Sequence, residues 1–178
     1  TDDVSWVVGA ALLSENETVV YKERSLVAMT WVGGHTPFRF KTQVMGTGVL
    51  SKDAVDSGTG EHIVFGPDIT YAYKGGTEIE ILDDKVKKLM YGRLNRDYVN
   101  RVFIIYIEED DELQIWIPTD TAYPDEVWCQ NVVSEVWYRK SRTMMGVGYY
   151  QEQSSFTIGD LVGTIGEQNW RFGDALVK

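Results

Sequence analysis

Apolar and polar residues alternate with a period of two along most of this chain, which is typical of β-strands that are covered on one face. In DEVWCQNVVSEVWYRK, two alternating runs flank a turn near Val133 and Ser134 and carry Trp128 and Trp137. Similar runs occur in ETVVYKERSLVAMTWVGG, FRFKTQVMG, HIVFG, ITYAYKGGTEIEIL and RVFIIYIEEDDELQIWIP. The pattern predicts an all-β protein.

One connecting segment, DDKVKKLMYGRLNRDYVNRV, has a different period. Its apolar residues recur at helical spacing, at Val86, Leu89, Met90 and Leu94. We therefore predict a short amphipathic helix over residues 84–94, with Asp83 or Asp84 as its N-terminal cap. Gly92 weakens this helix near its end.

The strands fall into groups over residues 18–46, 49–82 and 101–140, with a partial group over 148–178. An interval of about 40–50 residues is typical of β-propeller blades, of which a closed propeller has about four to eight. Residues 1–178 are therefore predicted to form one propeller-like domain, or a fragment of a larger propeller. A β-sandwich is the structural alternative.

Large aromatic residues on these strands are predicted to pack between sheets. They are Trp31, Tyr71, Tyr73, Trp116, Trp128 and Trp137. Four glycines, Gly33, Gly34, Gly75 and Gly76, are expected to supply the positive φ angles that tight turns require.

Composition narrows the class of protein. The chain of 178 residues is 43% hydrophobic, with six Trp and ten Tyr, which is ample for a packed core. The net charge of -10 disfavours a nucleic-acid-binding surface, which needs an excess of Lys and Arg. A wall past which DNA slides without sticking would carry this sign, although most acidic proteins are simply soluble. The sequence shows neither an apolar run that spans a bilayer nor a signal-peptide pattern.

No motif in the sequence predicts catalysis or a bound metal or cofactor. Cys129, His35 and His62 are too few to build a disulfide framework or a zinc site. His62 and Glu61 are neighbours on a strand and therefore point to opposite faces. The acidic residues 108–112 lack the glycine and the spacing of a calcium loop and are expected to form a charged hairpin tip. Nucleophile-elbow and phosphate-loop motifs are absent, and we predict no enzyme.

A carbohydrate-binding or glycoside-hydrolase-type propeller is the alternative class. Carboxylate pairs such as Asp83–Asp84 and Asp110–Asp111 could serve a glycosidase. Exposed aromatic residues could stack on sugars, and the candidates are Tyr123, Tyr149 and Tyr150.

The order of the segments from about residue 12 to 140 resembles β-propeller structural proteins of tailed bacteriophages. The resemblance is carried by VVYKERSLVAMTWVGG, FRFKTQVMGTGVLSKDAV, HIVFGPDITYAYKGGTEIEI, YGRLNRDYVNRVFIIYIEEDDELQIWIP and PDEVWCQNVVSEVWYRK, in that order. The chain departs from the family pattern at Asp68, where the family often has two Asp, and in the VVSEVW turn, which lacks the usual Gly.

The resemblance implies a virion structural protein of the tail tube, nozzle or head-to-tail region. It implies a homo-oligomer, commonly six-fold, that contacts other tail or portal-adaptor proteins and forms part of the conduit for DNA ejection. DNA would pass nearby without specific binding, and assembly would take place in the host cytoplasm.

Overall fold

Antiparallel hairpins between consecutive strands build most of the structure, a computed structural model that describes residues 4–57 and 60–146. The described residues lie within one unit, Thr1–Val147. The predicted strand group at 148–178 lies outside the described residues.

Three four-stranded antiparallel sheets follow one another along the chain. The first sheet contains β1 (Val7–Ser14), β2 (Glu17–Lys22), β3 (Ser25–Trp31) and β4 (Phe38–Met45). The second sheet contains β5 (Val55–Ser57), β6 (His62–Phe65), β7 (Thr70–Tyr73) and β8 (Glu80–Ile81). The third sheet contains β9 (Phe103–Ile107), β10 (Glu112–Ile117), β11 (Glu126–Asn131) and β12 (Val136–Ser141). The prediction of a mostly β protein is confirmed, and the first sheet begins at Val7, before the predicted strand group 18–46.

The first strands of the three sheets are neighbours, because β5 contacts both β1 and β9. The connector between β4 and β5 forms backbone hydrogen bonds with the first and third sheets: Val49 N–H donates to Lys22 O at 3.1 Å, and Ile104 N–H donates to Asp53 O at 3.0 Å. One hydrophobic core runs through all three sheets, with Val19 from the first, Tyr71 from the second and Ile115 from the third.

The connector between the second and third sheets contains α1 (Lys87–Arg93) and a 3₁₀ turn (Arg96–Arg101). The helix begins later than predicted, and neither Asp83 nor Asp84 caps it with a side-chain hydrogen bond. Asp83 is instead buried, and its Oδ2 accepts the N–H of Thr70 at 2.9 Å. In the described part of the chain, no helix has the length and apolar character needed to cross a membrane.

Helix α1 packs against the second sheet through one buried and one stacked side chain. Met90 is fully buried, and Tyr91 stacks on Phe65 with ring centroids 4.7 Å apart. The hydroxyl of Tyr91 also donates to Gly66 O at 3.1 Å. These contacts explain why the predicted amphipathic segment is helical, although Leu89, one of its predicted apolar positions, is 63% exposed.

Candidate functional site

The first sheet presents an apolar face that no described sheet covers. Cross-strand pairing places Leu12, Thr18, Met29 and Phe40 in one row across its four strands. Leu12 is 63% exposed and Phe40 is 62% exposed. A parallel row contains Ala10, Val20, Val27 and Thr42, and the pair Trp31–Phe38 continues the face at the end of β3. We call this surface the outer face of the first sheet.

The opposite face of the same sheet is buried. It carries Val19, Tyr21, Leu26 and Ala28, each exposed by 1% or less. This contrast follows from the two-residue period of a strand, which sends neighbouring side chains to opposite faces. Along the central strands β2 and β3 both faces of the sheet are therefore largely apolar, while only one has a partner among the described residues.

An exposed apolar sheet face of this kind usually marks an interaction surface, because soluble proteins rarely expose contiguous apolar patches. The open edge of the sheet lies beside it, since β4 pairs only with β3 among the described strands. Arg39 and Lys41 alternate with Phe38 and Phe40 along this edge and point to the other side.

Four of the six predicted packing residues are buried, namely Tyr71, Tyr73, Trp116 and Trp128. Trp137 is partly buried and packs against the main core. Trp31 differs from the expectation, because it is 55% exposed. It lies on the outer face of the first sheet, where its ring meets only the edge of Phe38 with centroids 5.1 Å apart.

The predicted turn glycines all have positive φ angles. Gly33 and Gly34 adopt φ of 70° and 76° between β3 and β4, and Gly75 and Gly76 adopt 100° and 78° between β7 and β8. Residues with a Cβ are strained in this region, so these turns depend on glycine.

The turn between β11 and β12 has no glycine and is built differently. Glu135 takes the left-handed position with φ of 54°. The side-chain oxygen of Asn131 accepts the N–H of Ser134 at 2.9 Å and its hydroxyl at 2.7 Å. This side-chain turn closes the hairpin in place of glycine.

His62 is buried between the first and second sheets and is held by two hydrogen bonds. Its Nε2 lies 2.9 Å from Leu12 O, and its Nδ1 lies 2.7 Å from the hydroxyl of Tyr21. A carbonyl only accepts, so Nε2 carries the proton and Nδ1 accepts from Tyr21. Burial lowers the pKa of His62, which keeps the ring neutral. The arrangement joins two sheets and leaves no free nitrogen for catalysis.

Glu126 is a buried carboxylate that accepts from three side chains. Nε and Nη2 of Arg93 lie 2.8 Å and 2.7 Å from its Oε2, Arg139 lies at 3.4 Å, and Nε1 of Trp128 lies 2.8 Å from Oε1. Helix α1 is thereby joined to the third sheet. The sequence does not predict this cluster, because nothing around Glu126 indicates that Arg93 and Arg139 will bind its carboxylate.

Other residues considered for chemistry lie apart from one another. Cys129 is buried, and desolvation raises the pKa of its thiol to about 11, so the thiolate needed for reactivity does not form near neutral pH. Asp83 is buried whereas Asp84 is exposed. Among the described residues no group of three or more His, Cys, Asp or Glu side chains is arranged to hold a metal ion.

The acidic residues 108–112 form a short 3₁₀ turn followed by Asp111 with φ of 49°. The segment lies between β9 and β10, as expected for a hairpin tip. Tyr123 is exposed, but the guanidinium of Arg101 lies 4.4 Å from the centre of its ring, so that face is occupied. Tyr149 and Tyr150 lie outside the described residues.

Comparison with known proteins adds no relative: no family model matches the chain, and no curated protein matches it.

Proposed function

We propose that this protein is a structural component of a tailed-phage virion that assembles through the outer face of its first sheet. It would form part of the tail or of the head-to-tail conduit for DNA ejection. Its partners would be further copies of itself and other tail or portal-adaptor proteins. The activity is assembly rather than catalysis.

The observation that carries the assembly role is the uncovered row of Leu12, Met29 and Phe40 on the first sheet. Water contact with such a surface is unfavourable by roughly 25 cal/mol per Å² of apolar area. The buried apolar face of the same sheet is covered by another β-sheet of this protein. A neighbouring subunit could supply that cover in an assembly.

The propeller description supports the same role. Each described sheet is a four-stranded meander, and the first strands of successive sheets are neighbours. Consecutive blades of a propeller are also four-stranded meanders, so these two features support the proposal of a propeller-like arrangement. Propeller-like blades are rigid units with two apolar faces, so the faces at an open end need a partner.

The assignment to a phage rests on the resemblance in segment order described above and on the acidic composition. A net charge of -10 is the sign expected of a wall that DNA must pass without binding. The location in the virion is inherited from that resemblance.

The test is the molar mass of the purified chain by light scattering after size exclusion, with negative-stain images of the same peak. A ring or another symmetric multimer is the expected result. A compact monomer at all concentrations would contradict self-assembly through this face.

A further inference from the structure

A cleft of about 390 Å³ lies between the second and third sheets, away from the outer face of the first sheet. Its apolar base includes Ile63 and Ala72 from the second sheet and Leu113 from the third. The volume falls within the range of about 300–1,000 Å³ that is common for small-molecule sites. The cleft is therefore large enough for a ligand.

Gln130 is the distinctive polar group of this cleft. It is only 7% exposed overall, and its side chain lines the cleft. An amide that lines a cleft can exchange contacts with water for hydrogen bonds to a ligand. The amide offers both a donor and an acceptor, which matches a hydroxyl group.

Trp137 lies directly opposite Gln130 in the sheet, and Leu113 lies opposite it on the other side. Trp137 also lines the cleft and is partly buried. An indole beside a side-chain amide presents a flat apolar surface next to a hydrogen-bonding group. A sugar ring has the matching pair of features, an apolar C–H face and an equatorial set of hydroxyls.

Charged residues at the rim are largely paired with one another. Lys74 Nζ lies 3.1 Å from Glu61 and 3.4 Å from Glu80, and Lys85 lies 3.6 Å from Glu135. A charged ligand would have to displace these contacts, whereas a neutral one would not. The amide and the indole are the groups left for recognition.

We infer that the cleft between the second and third sheets binds a neutral saccharide, with Gln130 hydrogen-bonding its hydroxyls and Trp137 stacking on its ring. The inference is independent of the assembly role, because different sheets carry the two features. The role assigned is binding, with no bond made or broken.

The experiment uses the purified full chain with three neutral probes: maltotriose, cellotriose and chitotriose. Binding is followed by saturation-transfer NMR and by tryptophan fluorescence. A Kd on the order of 1 mM is expected for at least one probe, because a single ring makes few contacts. Spermidine is the cationic comparison, since Asp84 adds a negative charge to the rim.

Two variants remove the recognition groups, Gln130→Leu and Trp137→Leu, and each should weaken binding by about tenfold or more. Two matched controls lie in the first sheet or before it. Gln43→Leu removes a different amide, whose own oxygen is buried and unpartnered, and Trp6→Leu removes an exposed tryptophan. Neither control residue lines the cleft, so both should bind as the unmodified protein does.

Saccharide binding that is lost in both cleft variants and kept in both controls would support the inference. Thermal unfolding of each variant shows whether it is folded. Binding that persists in Gln130→Leu would overturn the inference, and so would the absence of binding to all three saccharides at 20-fold above the expected Kd, about 20 mM. Preferential binding of spermidine would overturn it in favour of a cationic ligand.

Discussion

Side chains of the same type have different roles here because they lie on different faces of their strands. Trp128 is buried and its Nε1 donates to Glu126, whereas Trp31 is 55% exposed at the end of β3. Both lie in alternating runs, so their sequence surroundings are similar. Only the position of neighbouring sheets separates a core residue from a surface residue.

Trp128→Ala should lower the free energy of unfolding by about 3–5 kcal/mol, because it leaves a cavity in the core and removes the hydrogen bond to Glu126. Trp31→Ala should lower it by about 1 kcal/mol or less, since it removes one exposed aromatic pair. Urea unfolding of both variants measures the two losses. Equal losses would show that the burial assigned to these residues is wrong.

His62 makes stability depend on pH. Burial lowers its pKa below the ordinary 6.5, so the unfolded chain binds a proton that the folded chain resists. Its contribution to stability is complete above pH 6.5 and decreases as the pH falls toward the lower pKa of the folded state. The neutral ring contributes to stability through its hydrogen bonds to the hydroxyl of Tyr21 and the carbonyl of Leu12.

His62→Gln should therefore be less stable than the unmodified protein at pH 7.5, by about 1 kcal/mol. The difference should narrow at pH 6 and again at pH 5, because the glutamine does not titrate. Urea unfolding of both proteins at the three pH values gives the comparison, in which carboxylates common to both cancel. A difference that stays constant or widens would mean that His62 is not held neutral.

At the scale of elements, two glycines in connecting segments differ in the space available for a Cβ atom. Gly92 lies within α1, and a Cβ there would meet nothing within 4 Å. Gly48 lies where the chain passes from the first sheet to the second, and a Cβ there would lie 2.1 Å from Lys22 O. The hydroxyl of Tyr71 also donates to Gly48 O at 3.0 Å.

Gly92→Ala should raise the free energy of unfolding by about 0.5–1 kcal/mol, since alanine restricts the unfolded chain and favours the helix. Gly48→Ala should lower it by about 3 kcal/mol, because the backbone of the neighbouring turn would have to move. Thermal and urea unfolding test both changes. A neutral Gly48→Ala would mean that the connector does not pass as close to the backbone of Lys22 as described.

Sequence pattern predicts the strands that have one covered face, and it misses those that do not alternate. The run VVGAALLS of β1 contains apolar residues on both faces, so it shows no period of two. β5 has only three residues, which is too short for a pattern. The start of α1 was placed too early because Asp83, a residue typical of helix caps, is used to bind Thr70 in the second sheet.

The candidate surfaces could be predicted only in part. Alternation of Phe38 and Phe40 with Arg39 and Lys41 is visible in the sequence and is borne out by the pairing of β4 with β3. Whether the outer face of the first sheet is covered depends on which sheets pack together. That packing involves residues far apart in sequence, so a local pattern does not predict it. The cleft at Gln130 depends on two sheets that are distant in sequence, so no local signal indicates it.

At the scale of the whole molecule, three sheets with adjacent first strands share one core, and the first sheet keeps an apolar face without a described partner. This is the geometry from which the assembly role is proposed. Phe40 lies on the edge strand β4, where it is 62% exposed and ends the row that runs through Met29 and Thr18 to Leu12. A charge at this position should prevent a second subunit from covering the face, since burying an unpaired charge is strongly unfavourable.

The most direct test is the molar mass of Phe40→Lys by light scattering, beside the unmodified protein and Val133→Lys. Val133 is also an exposed apolar residue, but it lies at the hairpin between β11 and β12. We expect multimers for the unmodified protein and for Val133→Lys, and a folded monomer for Phe40→Lys. A Phe40→Lys protein that keeps the multimeric mass, or an unmodified protein that is monomeric throughout, would contradict assembly through the outer face of the first sheet.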